Sequence, residues 1–80
     1  MKISILAFGV AREIIGGAAT SLEWQEGGTV GELKSTLEKK YPALGSIGHY
    51  LIAVNQQCVA DQVPVQLQDE VAIIPPVSGG

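Results

Sequence analysis

Few side chains in this 80-residue chain have the types and spacing that chemistry requires. His49 is the lone histidine, with no second histidine or cysteine at metal-ligand spacing, so it reads as a surface loop residue. Cys58 is the lone cysteine, and nothing near it in sequence supplies a cation or base to hold a thiolate. A buried strand position is expected for it. Asp69 and Glu70 form a carboxylate pair, but adjacent strand residues point to opposite faces and cannot flank one scissile bond. They read as a turn. The glycine pairs at 16, 17 and at 27, 28 lack the spacing of a phosphate-cradling loop. The remaining candidate is the end of the chain, "PPVSGG" at 75–80, where Gly80 carries a backbone carboxylate.

A carboxylate is a poor electrophile because it is anionic. Joined to AMP as a mixed anhydride it becomes reactive. An enzyme making that anhydride must bring ATP and the carboxylate together in a narrow channel. Gly79 and Gly80 suit such a channel, having no Cβ and tolerating angles closed to other residues. Pro75 and Pro76 fix φ and keep the approach extended, which reduces the entropy lost on insertion. At about 3.3 Å per residue, the segment 75–80 reaches roughly 20 Å. A frayed or truncated end leaves the same two glycines, so the body that carries them must decide.

That body reads as alternating strands and one strong helix. "KISILAFG" is a first strand closed by Gly9, with Ile3, Ile5 and Ala7 on one side and Leu6 and Phe8 on the other. "VAREIIGG" is a long hairpin loop with room for one helical turn. "ATSLEW" is a second strand that puts Thr20, Leu22 and Trp24 on one face. In "TVGELKSTLEKKYP", Thr29 is an N-cap with Glu32 in capping-box position. Val30, Leu33, Leu37 and Tyr41 form one apolar stripe, Lys39 and Lys40 oppose the dipole of the last turn, and Pro42 stops the helix. "ALGSIGHY" is irregular, "LIAVN" is a third strand, and "QQCVA" pairs back as a short one. Pro64 makes 61–70 at most an edge segment, and the apolar run "EVAIIPPV" predicts a last strand covered on both faces.

This order predicts an α+β, β-grasp (ubiquitin-like) fold: a mixed sheet of four to five strands with one main helix packed on one face. Residues 1–80 form a single domain, with 75–80 as an extended C-terminal tail. The first and last strands lie centrally, so the tail leaves from a rigid base. One face of the first strand meets the helix stripe, and the other offers apolar surface near the tail exit unless a loop covers it.

Composition points to protein partners. Charged residues make up 16%, against a usual share of about 25%, so part of the surface is expected to be hidden in a partner. A net charge of −3 argues against nucleic acid and suits a partner with a basic face. No apolar run approaches the roughly 18 residues that span a bilayer. The start "MKISILAFGVA" superficially resembles a signal peptide, but removing it would take a strand from the domain. One unpaired cysteine favours a reducing compartment, hence the cytoplasm.

The sequence resembles the small subunits of molybdopterin synthases, which are ubiquitin-like sulfur carriers. The likeness runs through "LAFGVARE", "TVGEL", "AVNQ" and "DEVAIIPPVSGG" and covers essentially the whole chain. The resemblance implies that a ubiquitin-activating-type adenylating enzyme, using ATP, converts the terminal glycine to an acyl-adenylate. A sulfur donor protein then turns it into a thiocarboxylate. The tail enters the large synthase subunit, where the sulfur goes to a cyclic pyranopterin phosphate and builds the dithiolene that binds molybdenum. By position, Gly80 bears the activated group and Gly79 permits its passage. Pro75, Pro76, Val77 and Ser78 form the inserted tail, and Ile74, Phe8 and Arg12 are candidates for docking. The chain itself is then the non-catalytic, sulfur-donating subunit, with no metal and no cofactor of its own, in a heterotetramer of two small and two large subunits.

Three rival readings keep the fold. One is a thiamine-pathway sulfur carrier with the same activated terminus; another is a ubiquitin-like interaction module whose glycines are a frayed end. The third is a protein modifier that forms isopeptide bonds to lysines.

Overall fold

The "KISILA" alternation folds as read, into strand β1 (Lys2–Ala7), which buries Ile3, Ile5 and Ala7 and turns Lys2, Ser4 and Leu6 to the other side. The computed structural model describes residues 1–76; Val77, Ser78, Gly79 and Gly80, expected in the inserted tail, lie outside the described residues. After β1 come helix α1 (Val10–Ile15), strand β2 (Ala19–Glu23) and helix α2 (Val30–Lys40). A 3-10 turn (Pro42–Ser46), β3 (Leu51–Val54), β4 (Gln57–Cys58) and β5 (Val71–Ile74) complete the order. The sheet runs β2-β1-β5-β3-β4. Strand β5 is its middle member, parallel to β1 and antiparallel to β3. This is the β-grasp arrangement, with the last strand held between the first and the third.

Helix α2 starts as its sequence dictates. The Thr29 side chain accepts from the Glu32 amide, and Glu32 accepts in return from the Thr29 amide, closing the capping box. The two other free amides of the first turn donate to the segment at 61–65: Val30 to the Val63 carbonyl and Gly31 to that of Asp61. All the first-turn donors are therefore engaged within the chain. Val30, Leu33 and Leu37 are fully buried against the sheet. Tyr41 is half-buried and its hydroxyl meets that of Thr20 at 2.8 Å.

The segment at 61–70 forms no strand, and its Pro64 makes one isolated bridge to Thr29, in line with an edge role. The Trp24 indole donates to the Val65 carbonyl at 3.0 Å. A Cβ on Gly28 would stand 2.7 Å from that indole, so only glycine leaves room for the ring. Among the described residues no helix is long and apolar enough to cross a membrane.

Three expectations need correction. The segment after Gly9 holds a six-residue helix, α1, closed by Gly16 in the left-handed region, which is more structure than one turn of a hairpin loop. Cys58 is exposed rather than buried, because β4 is a two-residue strand at the edge of the sheet. The last strand is not covered on both faces. Val71 and Ile73 face the helix and are fully buried, whereas Ala72 and Ile74 line an open groove.

Candidate functional site

The strand registers assemble the open face of the sheet. Leu6 stands opposite Ala72, Ala72 opposite Ala53, and Ala53 opposite Cys58, giving one apolar row across four strands. The next row, toward the tail, pairs Ile74 with Leu51, and Phe8 follows directly after the Ala7–Ile73 pair. Leu6, Phe8, Ala53, Cys58, Ala72 and Ile74 line a groove of about 400 Å³, with Leu51 next to it opposite Ile74. Phe8 and Leu51 stand at its tail end, 48% and 51% exposed. Full burial of such a side chain is favourable by about 1.5–3 kcal/mol, and roughly half of that is forgone at each position here. A contiguous apolar patch of this kind is the usual mark of a surface that meets another protein.

The tail root is fixed at that end. Gly9 adopts φ +56, and a Cβ there would meet the Pro75 ring at 3.0 Å. The turn after β1 therefore nestles against the first residue after β5. Buried Ala11 anchors α1, and the Phe8 carbonyl accepts from its amide at 3.1 Å, which holds Phe8 in place.

The far end of the groove is polar, closed by Gln56 and Glu70. Asn55 and Gln56 form the β3–β4 turn with φ of +54 and +72, the pairing that a two-residue hairpin of matching twist requires. Asn55 then binds across to the start of β5. Its side chain accepts from the Glu70 amide at 2.9 Å and donates to the Asp69 carboxylate at 3.0 Å, and its own amide donates to the Glu70 carbonyl at 2.7 Å. The "AVNQ" and "DEVA" stretches are thus two halves of one clasp.

Of the residues expected in the site, Phe8 and Ile74 line the groove and Pro75 sits at its root. Pro76 is exposed, and Arg12 is exposed on α1, outside the groove lining. Alternation already sets Leu6 beside Phe8 on this face, whereas Leu51, Ala53, Cys58, Ala72, Gln56 and Glu70 are not assigned to it from sequence. The alternation in "LIAV" does place Leu51 and Ala53 on one face, but only the register brings that face to Ile74 and Ala72.

Elsewhere the polar groups are accounted for locally. Tyr50 donates to the Glu38 carboxylate; burial first, then this bond and the nearby carboxylates of Glu38 and Asp61, push its phenol well above the usual range. A second concavity is lined by Glu23, Glu26 and Glu32 beside Trp24, with Glu32 already committed to the capping box. Among the described residues no group of three or more His, Cys, Asp or Glu is placed to hold a metal ion.

Fold and groove define a ubiquitin-like β-grasp protein whose terminal strand is its central one. The ThiS family matches residues 5–80, and the chain belongs to that family. It is 36% identical over 81 residues to the molybdopterin synthase sulfur carrier subunit of Arabidopsis thaliana, covering all of this chain and 84% of that protein. It is 37% identical over 83 residues to the protein of the same name in Chlamydomonas reinhardtii, with both chains wholly covered. Among solved structures, small archaeal modifier protein 1 of Haloferax volcanii superposes with a TM-score of 0.83 at 25% identity, over the whole of both chains.

Proposed function

We propose that this chain is the sulfur carrier subunit of a molybdopterin synthase. The observation that carries this reading is the 36% and 37% identity, over the whole of this chain, to proteins of that name. A groove beside the root of a glycine-terminated tail supports it.

In this scheme the Gly80 carboxylate attacks the α-phosphorus of ATP in the adenylating enzyme, and pyrophosphate leaves. Sulfur delivered at the hydrosulfide level by a donor protein attacks the acyl carbon, the acyl–phosphate bond breaks with loss of AMP, and a thiocarboxylate is left on the chain. Sulfur is softer and less tightly hydrated than oxygen, so the thiocarboxylate is the better nucleophile. The large subunit then receives the tail, and the sulfur passes to cyclic pyranopterin monophosphate. The carrier returns to a carboxylate by taking oxygen from water. Gly79 lets the terminus through, 75–78 span the channel, and Phe8 and Ile74 dock the body outside, with Arg12 as a further contact from α1. The base, the nucleotide and the pterin pocket all belong to the partners. Thiol chemistry at Cys58 is not required.

The test is a single-turnover assay with the large subunit. Thiocarboxylated chain should convert cyclic pyranopterin monophosphate to the dithiolene product, and chain lacking Gly80 should yield none. Product from the truncated chain would refute the scheme. The likeness to an archaeal modifier protein favours a second reading, attachment to lysines. Lysine-linked conjugates of this chain in a native extract, dependent on Gly80, would favour it.

A further inference from the structure

The groove is polar at one end only, and the backbone that presents this end is rigid. Glu70 is tied to Asn55 through both its amide and its carbonyl. Gln56 sits at φ +72, a region that residues with a Cβ adopt reluctantly, so the turn holds it against its own preference. Neighbouring Asp69 already has both oxygens engaged, one accepting from the Asn55 side chain and the other from the Gln66 amide at 2.8 Å. The Glu70 carboxylate is different: it is exposed, lines the groove, and has no ion-pair partner among the described residues.

We propose that Gln56 and Glu70 form a seat for one arginine of the docking protein. The proposal rests on the carrier reading above and deepens it. Arginine fits for two reasons. Its apolar stem can lie along the floor made by Ala53, Cys58 and Ala72, while its planar fork donates to the Glu70 carboxylate and the Gln56 amide oxygen together. A lysine head is a point charge without that fork. The chain's net charge of −3 draws such a cation in from a distance.

The seat also orients the complex. A groove of apolar side chains alone accepts a partner in either direction. With the arginine fixed at the polar end, the partner's apolar contacts fall on Phe8 and Leu51. Its channel entrance then faces Pro75, where the tail departs.

The experiment is a set of binding measurements between the full chain and the purified large synthase subunit of the same organism, at low and high salt. Glu70→Gln should weaken binding about tenfold at low salt and flatten its salt dependence, the loss expected for one charge-assisted hydrogen-bonded pair. Glu70→Arg should weaken it further, and exchanging one partner arginine for glutamate should restore it. Melting temperatures should match the parent chain, because among the described residues the Glu70 carboxylate accepts no hydrogen bond and forms no ion pair. Unaltered affinity and salt dependence in Glu70→Gln, with the parent chain binding normally, would overturn the seat and leave the carrier reading standing. Failure of the parent chain itself to bind would overturn the carrier reading, and the seat with it.

Discussion

The same five strands present two unlike faces. The face under α2 is filled: Ile5, Ile52, Val71 and Ile73 are fully buried against Val30, Leu33 and Leu37. The opposite face carries Leu6, Phe8, Leu51 and Ile74 with no helix of the described residues over them, and Phe8 and Leu51 remain about half exposed. Strand alternation produces both faces at once, since successive side chains point to opposite sides. One main helix can cover only one of them. The first face accounts for the domain's stability, and the second is apolar surface left available beside Pro75, the first residue after β5.

The comparison can be broken most sharply at the tail. Removing Gly80 should abolish sulfur transfer while thermal unfolding stays nearly unchanged, because the buried core of the described residues lies between Ile3 and Ile73. Gly79→Val should likewise block adenylation by filling the channel. A large fall in melting temperature in either variant would merge the two regions that the account separates.

Next in size is the covered face. Leu33→Ala should destabilise the domain by about 2–5 kcal/mol in denaturant unfolding, the usual effect of truncating a fully buried leucine. A change near zero would mean that α2 does not close the core. On the open face, Phe8→Ala and Leu51→Ser should alter stability by only about 0.5 kcal/mol. Each should weaken docking to the large subunit roughly tenfold, as loss of an interface anchor does. The reverse pattern, stability lost and docking kept, would make the groove ordinary packing.

The smallest effect concerns Tyr50, which ties the helix to the start of β3 through Glu38. Tyr50→Phe should lose about 1 kcal/mol, the net worth of one hydrogen bond. Its phenol is pushed above its ordinary 10.0 in the folded chain, so folding favours the protonated form. The stabilisation is therefore complete below pH 10 and is lost as pH rises toward the folded value. Unfolding measured above pH 10 should show a decline that is shallower in Tyr50→Phe.

Much of this was legible in the chain. The capping box, the helical stripe and the period-two pattern of "KISILA" are local signals, and local hydrogen bonding and burial enforce them. The groove was half legible, because alternation assigns Phe8 and Leu6 to one face without saying which strand lies beside them. Cys58 misled because two residues at an edge are too few to show a period. The polar end was illegible: Asn55 meets Glu70 across fifteen positions, through a contact that only the folded sheet creates.

The claim at the centre is that the reactive group is the carboxylate of Gly80. Intact mass of the chain after incubation with the adenylating enzyme, ATP and a sulfur donor tests it most directly. The mass should rise by the difference of one sulfur for one oxygen, and the gain should map to the terminal residue. A mass that stays constant while the enzyme is demonstrably active, or a gain located on Cys58, would contradict the account.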